Sequence, residues 1–152
     1  MKAFLHKNAT LLLLILLLVA AISLGLFLGY YHDSPKHPFQ GYSAEHTKSV
    51  TIEYISYNQV YKDTLTAQEA AALAPYLQDI IIYSKNAEDF YDHNGGYVLV
   101  LQITDLDGEA VKIELSSGER LYINDVLYHS DAASITALND HLLHIMQVRI
   151  SS

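Results

Sequence analysis

Tyr97 to Ser116 reads YVLVLQIT-DLDG-EAVKIELS, and the architecture follows from it. Tyr97 to Thr104 contains no breaker and is rich in β-branched and aliphatic residues, so it predicts a strand. Apolar residues at both parities predict a central place in a sheet. Asp105-Leu106-Asp107-Gly108 is turn chemistry, in which aspartate and glycine supply backbone angles that other residues avoid. Val111, Ile113 and Leu115 then alternate with charged residues from Glu109 to Ser116, predicting a return strand with one buried face. An antiparallel hairpin is therefore the seed of the fold.

Outward from that hairpin, Ser49 to Tyr57 (SVTIEYISY) alternates as a strand, with Val50, Ile52 and Tyr54 on one face. Asn58-Gln59 turns it into a short return over Val60 to Leu65. Thr66-Ala67-Gln68-Glu69 is a capping box and predicts a helix start. Ala70, Leu73 and Leu77 share one face of that helix, and Pro75 kinks or ends it. Asp79 to Ser84 is a short apolar run, expected as a well-buried strand. Asp92-His93-Asn94-Gly95-Gly96 is a turn, and Ser117-Gly118 is another. Arg120 to Ile123 and Val126 to His129 flank Asn124-Asp125 as a further hairpin. Ser130 or Asp131 caps a last helix from Ala132 to about Gln147, whose apolar stripe is Ile135, Leu138, Leu142, Ile145 and Met146. The expected fold class is α+β: one antiparallel sheet of about five strands with two helices packed on it, preceded by an N-terminal transmembrane helix.

That last expectation comes from Leu11 to Tyr31, LLLLILLLVAAISLGLFLGYY, which has no charge and no proline. About 20 apolar residues suffice to cross a hydrocarbon core roughly 30 Å thick. The domains expected are a cytoplasmic tail (1–8), a transmembrane anchor (9–31), a linker (32–48) and an extracytoplasmic α+β domain (49–150). Lys2 and Lys7 ahead of the run predict an N-terminus inside and the domain outside, in a single-pass protein of the cytoplasmic membrane. Secretion after cleavage at Val19-Ala20-Ala21 or Ala21-Ile22-Ser23 is the alternative. Gly25-x-x-x-Gly29 is a pattern through which two such helices associate.

The chain has 152 residues, nine basic and seventeen acidic, and no cysteine. Lipid attachment through cysteine, disulfides, thiolate catalysis and cysteine metal sites are thereby excluded. All the acids and seven of the basic residues follow the apolar run, a balance near −10 for the rest of the chain. That charge repels nucleic acid, so none is expected as a partner. The membrane, through residues 11–31, and an envelope protein or wall polymer are the partners expected.

The matching segments Thr66 to Glu69, Asp105 to Gly108, and Tyr122-Ile123-Asn124 with Tyr128 give a layout over Ser49 to Gln147. It resembles small uncharacterised membrane-anchored or secreted domains of Gram-positive bacteria. The resemblance implies the fold and the extracytoplasmic location. It carries no catalytic residues.

Few residues point to chemistry. Asp105, Asp107 and Glu109 start like a calcium loop, but glycine falls at position 4 instead of 6, and position 12 is Ser116. A hairpin turn is the better reading. His141 and His144, beside Asp140, stand at i, i+3 on the last helix, a spacing that places two metal ligands on one face. Both fall off the apolar stripe and are expected in solvent. His32, His37 and His46 lie in the linker without a fixed geometry. No metal, cofactor or catalytic residue is assigned. The tyrosines Tyr54, Tyr97, Tyr122 and Tyr128 form a candidate binding surface, since tyrosine joins a flat apolar ring to a hydroxyl. Tyrosine is also an ordinary strand residue. The expected function is a non-enzymatic binding or regulatory module at the cell envelope. The alternative is a small envelope hydrolase using acidic residues with His93 or His129.

Overall fold

The computed structural model describes residues 2–32, 34–85, 96–116 and 120–150. The chain divides into two compact units, Met1–Ser34 and Pro35–Ser152.

The first unit is helix α1, Lys2–His32. Its large apolar side chains from Leu13 to Phe27 are 52 to 71% exposed. Among the described residues, no helix is long and apolar enough to cross a membrane. The expected transmembrane helix is thus corrected to a long helix with an exposed apolar stretch. A Cβ added at Gly25 or Gly29 would meet nothing within 4 Å.

Among the described residues, the second unit is built on one seven-stranded antiparallel sheet. Its strands are β1 (Thr47–Ser56), β2 (Gln59–Thr64), β3 (Ile82–Lys85), β4 (Val98–Asp105), β5 (Ala110–Ser116), β6 (Arg120–Ile123) and β7 (Val126–Ser130). Their order is β2-β1-β4-β5-β6-β7-β3. The expectation of about five strands and two helices is corrected to seven strands, with α2 (Ala67–Ala72), α3 (Ala74–Gln78) and α4 (Ala132–Ile150). Short returns that would be marginal as isolated hairpins all join the same sheet. Pro75 splits the first helix of this unit: it stands in the first turn of α3, where its missing amide costs nothing, and Leu73 bridges the two pieces in helical backbone.

β4 lies between β1 and β5, with Leu101 opposite Ile52 on one side and Ile113 on the other. Only one of its faces is fully buried. Val50, Ile52, Leu99, Leu101, Ile113, Leu115 and Leu121 join Leu73, Leu77 and the α4 stripe in a single core. The other parity carries charges: Lys62 pairs across strands with Glu53 at 3.4 Å, and Lys112 reaches Glu114 of its own strand at 3.3 Å and Asp125 of the β6–β7 turn at 2.7 Å. The apolar run at 79–84 sends Ile80 and Ile82 into the core but forms an edge strand, paired within the sheet only to β7. Lys36 and Ile82 exchange backbone hydrogen bonds of 2.7 and 2.9 Å on its outer side, which shields the edge from pairing with other chains. The stretch read as a linker therefore contributes to the domain. It supplies this bridge, the core residue Phe39, and a one-turn 3₁₀ helix at Ala44–His46 capped by Ser43.

Local signals act as the sequence predicts at three points. The Thr66–Glu69 capping box is closed in both directions. Asn124 and Asp125 take φ of 49° and 63°, the left-handed pair that a two-residue hairpin requires. Asp131 Oδ2 accepts from the Ser134 amide at 3.0 Å at the start of α4. At the other end of α4, Arg149 donates to Asp63 of β2 and, at 2.5 Å, to Glu69 of α2. The helix is thus fastened at both ends.

Candidate functional site

Three backbone features build a groove at the α3–α4 end of the domain. Pro75 begins α3, and Asp79 closes it with its amide on the Pro75 carbonyl at 3.1 Å. The chain then turns inward, burying Ile80. The Asp131 amide donates to the Ile81 carbonyl at 3.1 Å, so α4 starts beside residue 81. The Lys36–Ile82 bridge brings His37 to the same place. The resulting cavity is about 380 Å³, lined by His37, Tyr76, Asp79, Ile81, Asp131 and the small residues Ala133, Ser134 and Ala137 of α4. That volume lies at the lower end of the range of ligand sites, about 300 to 1,000 Å³. A second cavity of about 170 Å³ lies between the 3₁₀ turn, β1 and α2. It is too small for more than a fragment of a ligand.

The groove owes its width to side-chain size. Ala133 and Ala137 stand at i, i+4 on one face of α4, so no long side chain fills the space. Its electrostatics are negative. One oxygen of Asp131 serves the Ser134 amide, and Ser134 Oγ donates to the Asp131 carbonyl at 3.0 Å. The Asp79 carboxylate has no cationic partner among the described residues. Tyr76 is held by stacking on His141, with ring centroids 4.3 Å apart and planes at 16°. His141 Nε2 is buried without a hydrogen-bond partner among the described residues. Burial, and secondarily the neighbouring His144, push the His141 pKa below the ordinary histidine value.

The residues singled out from sequence are scattered. Asp105, Asp107 and Glu109 lie in the β4–β5 turn. Asp105 Oδ1 accepts from the Glu109 amide at 2.8 Å, and Gly108 takes φ of 92°. Among the described residues, no three histidine, aspartate or glutamate side chains gather where a metal ion could be held. His144 is exposed, as expected, whereas His141 is half-buried against Tyr76 and leaves solvent for the α3–α4 contact. The four tyrosines do not share a surface. Tyr54 and Tyr97 stack on each other at 5.8 Å on the helix-covered side, and Tyr97 donates to Asn139 Oδ1 at 3.0 Å. Tyr128 packs against the same core. Tyr122 pairs with Leu127 at the opposite parity and is only 5% exposed. His129 is exposed on β7, and His93 lies outside the described residues.

No family model, no curated protein and no solved structure matches this chain. The functional reading therefore rests on geometry. No motif in the sequence marks Tyr76, Asp79, Ala133 or Ala137, and Asp131 reads there only as a helix cap. The paired alanines one turn into α4 are the one local signal of a notch. Nothing local says that α3 lies across from them.

Proposed function

We propose that this chain is a non-enzymatic binding module of the cell envelope, which receives a partner in the α3–α4 groove. The observation that carries this reading is an open, largely apolar groove rimmed by polar groups that do not engage one another. Among the described residues, none of the side chains of His37, Tyr76, Asp79 and Asp131 is hydrogen-bonded to another of the four. Nucleophilic catalysis calls for a nucleophile and a base within hydrogen-bond reach, whereas binding asks only for apolar area with a few orienting charges. The envelope setting draws on α1: an exposed, uncharged stretch of this size marks an interaction surface, and its leucine-rich character suits lipid. Residues 11–31 are then the lipid contact of the chain.

The test is site-specific photo-crosslinking in cells. A crosslinking residue at Ala137, in the groove, is expected to give one discrete adduct. The same residue at Gln102, exposed on the opposite face of the sheet from the helices, is expected to give none. No adduct at position 137, or the same adducts from both positions, refutes the reading.

A further inference from the structure

We infer that the groove selects a basic peptide segment, seating the alkyl stem of a lysine or arginine between its two aspartates; this rests on the binding function proposed above. Asp79 comes from the end of α3 and Asp131 from the start of α4, with the apolar surface of Ile81, Ala133 and Ala137 beside them. A long cationic side chain has this same division, an apolar stem and a charged head. The sign of the charge rules against an anion. The N-terminus of a helix as long as α4 attracts negative charge, but Asp131 already occupies the Ser134 amide and supplies that charge itself. Among the described residues, His37 is the only basic one lining the groove. A neutral apolar ligand would leave the aspartates idle, and Asp79 has no cation to neutralise it among the described residues. The balance near −10 beyond residue 31 draws a basic segment toward the domain at long range.

The test uses the full chain in mild detergent and a fluorescein-labelled Ala-Lys-Ala-Lys-Ala peptide, blocked at its C-terminus, with fluorescence anisotropy as the readout. The control peptide carries norleucine at both lysine positions. The lysine peptide is expected to bind about tenfold or more tightly than the control at low salt. The double variant Asp79→Asn, Asp131→Asn is expected to lose about tenfold for the lysine peptide. Asparagine preserves the cap of α4, and circular dichroism checks that the fold is kept. Ala137→Leu, which fills the groove, should weaken both peptides, whereas Asp107→Asn, in the β4–β5 turn, should change neither. Equal affinity for the two peptides overturns the charge assignment. Lysine-peptide binding that survives in the double variant, or falls equally in Asp107→Asn, places the contact elsewhere on the acidic surface and also overturns it. Failure of the lysine peptide to bind, while the adduct at position 137 persists, refutes the basic ligand alone. Loss of both refutes the groove as a binding site.

Discussion

Replacing Arg149 by methionine keeps an apolar stem of similar length and removes the guanidinium that ties α4 to β2 and α2. The Arg149 side chain is only 16% exposed, whereas Asp63 and Glu69 are 41% and 30% exposed. An exposed ion pair is worth about 0.2 to 1 kcal/mol, and breaking a fully buried one costs about 3 to 5. Two charge-assisted contacts of intermediate burial place Arg149→Met at about 2 kcal/mol of lost stability at neutral pH. For a domain of this size that is a fall of about 8 °C in Tm. The pH dependence adds a second constraint. Burial raises the Glu69 pKa, but hydrogen bonds from the Thr66 amide and hydroxyl, together with Arg149, outweigh it and hold the carboxyl below its ordinary value. A depressed carboxylate contributes stability above its unfolded pKa, and that contribution is lost as pH falls through the folded one. The difference between wild type and variant should therefore be full at pH 7 and shrink below about pH 4.5. Urea unfolding of both proteins at several pH values measures it. A difference under about 0.5 kcal/mol at pH 7, or one unchanged at pH 3, would refute the assignment of this cluster as the fastening of α4.

Two further perturbations test the packing of α4. Tyr97→Phe removes the donor to Asn139, which is only 4% exposed, so unfolding should become easier by about 1 to 2 kcal/mol; no change in the urea midpoint would mean that this bond contributes nothing. The lowered pKa of His141 means that the folded state resists its protonation, so stability is full above the ordinary histidine value and declines as pH falls through the folded one. His141→Phe, which keeps an aromatic ring against Tyr76, should flatten that decline; identical thermal unfolding profiles of variant and wild type between pH 7 and 5 would show that His141 does not titrate in this contact.

What the sequence determined by itself is the set of local elements. The Thr66–Glu69 box, the Asp105–Gly108 and Asn124-Asp125 turns, the Pro75 break and the α4 stripe are all legible because each rests on interactions within a few residues. Alternation in β1 and β5 likewise names the core face, since neighbouring side chains point to opposite sides of a strand. Tertiary structure alone decided the rest. Periodicity carries no record of partners, so β3 could be read as a buried strand although it lies at an edge, beyond β7. The same limit applied to the tyrosines, whose faces depend on register across strands that are distant in sequence. His141 falls off the apolar stripe of its own helix, and only the approach of α3 covers it with Tyr76. The groove is the extreme case. Its aspartates stand 52 positions apart, and they line one groove because the Asp131 amide reaches the Ile81 carbonyl while a bridge at Ile82 draws in the segment carrying His37. Those are long-range backbone bonds, and the donors and acceptors that make them are the same in every residue but proline, so side-chain identity does not announce them.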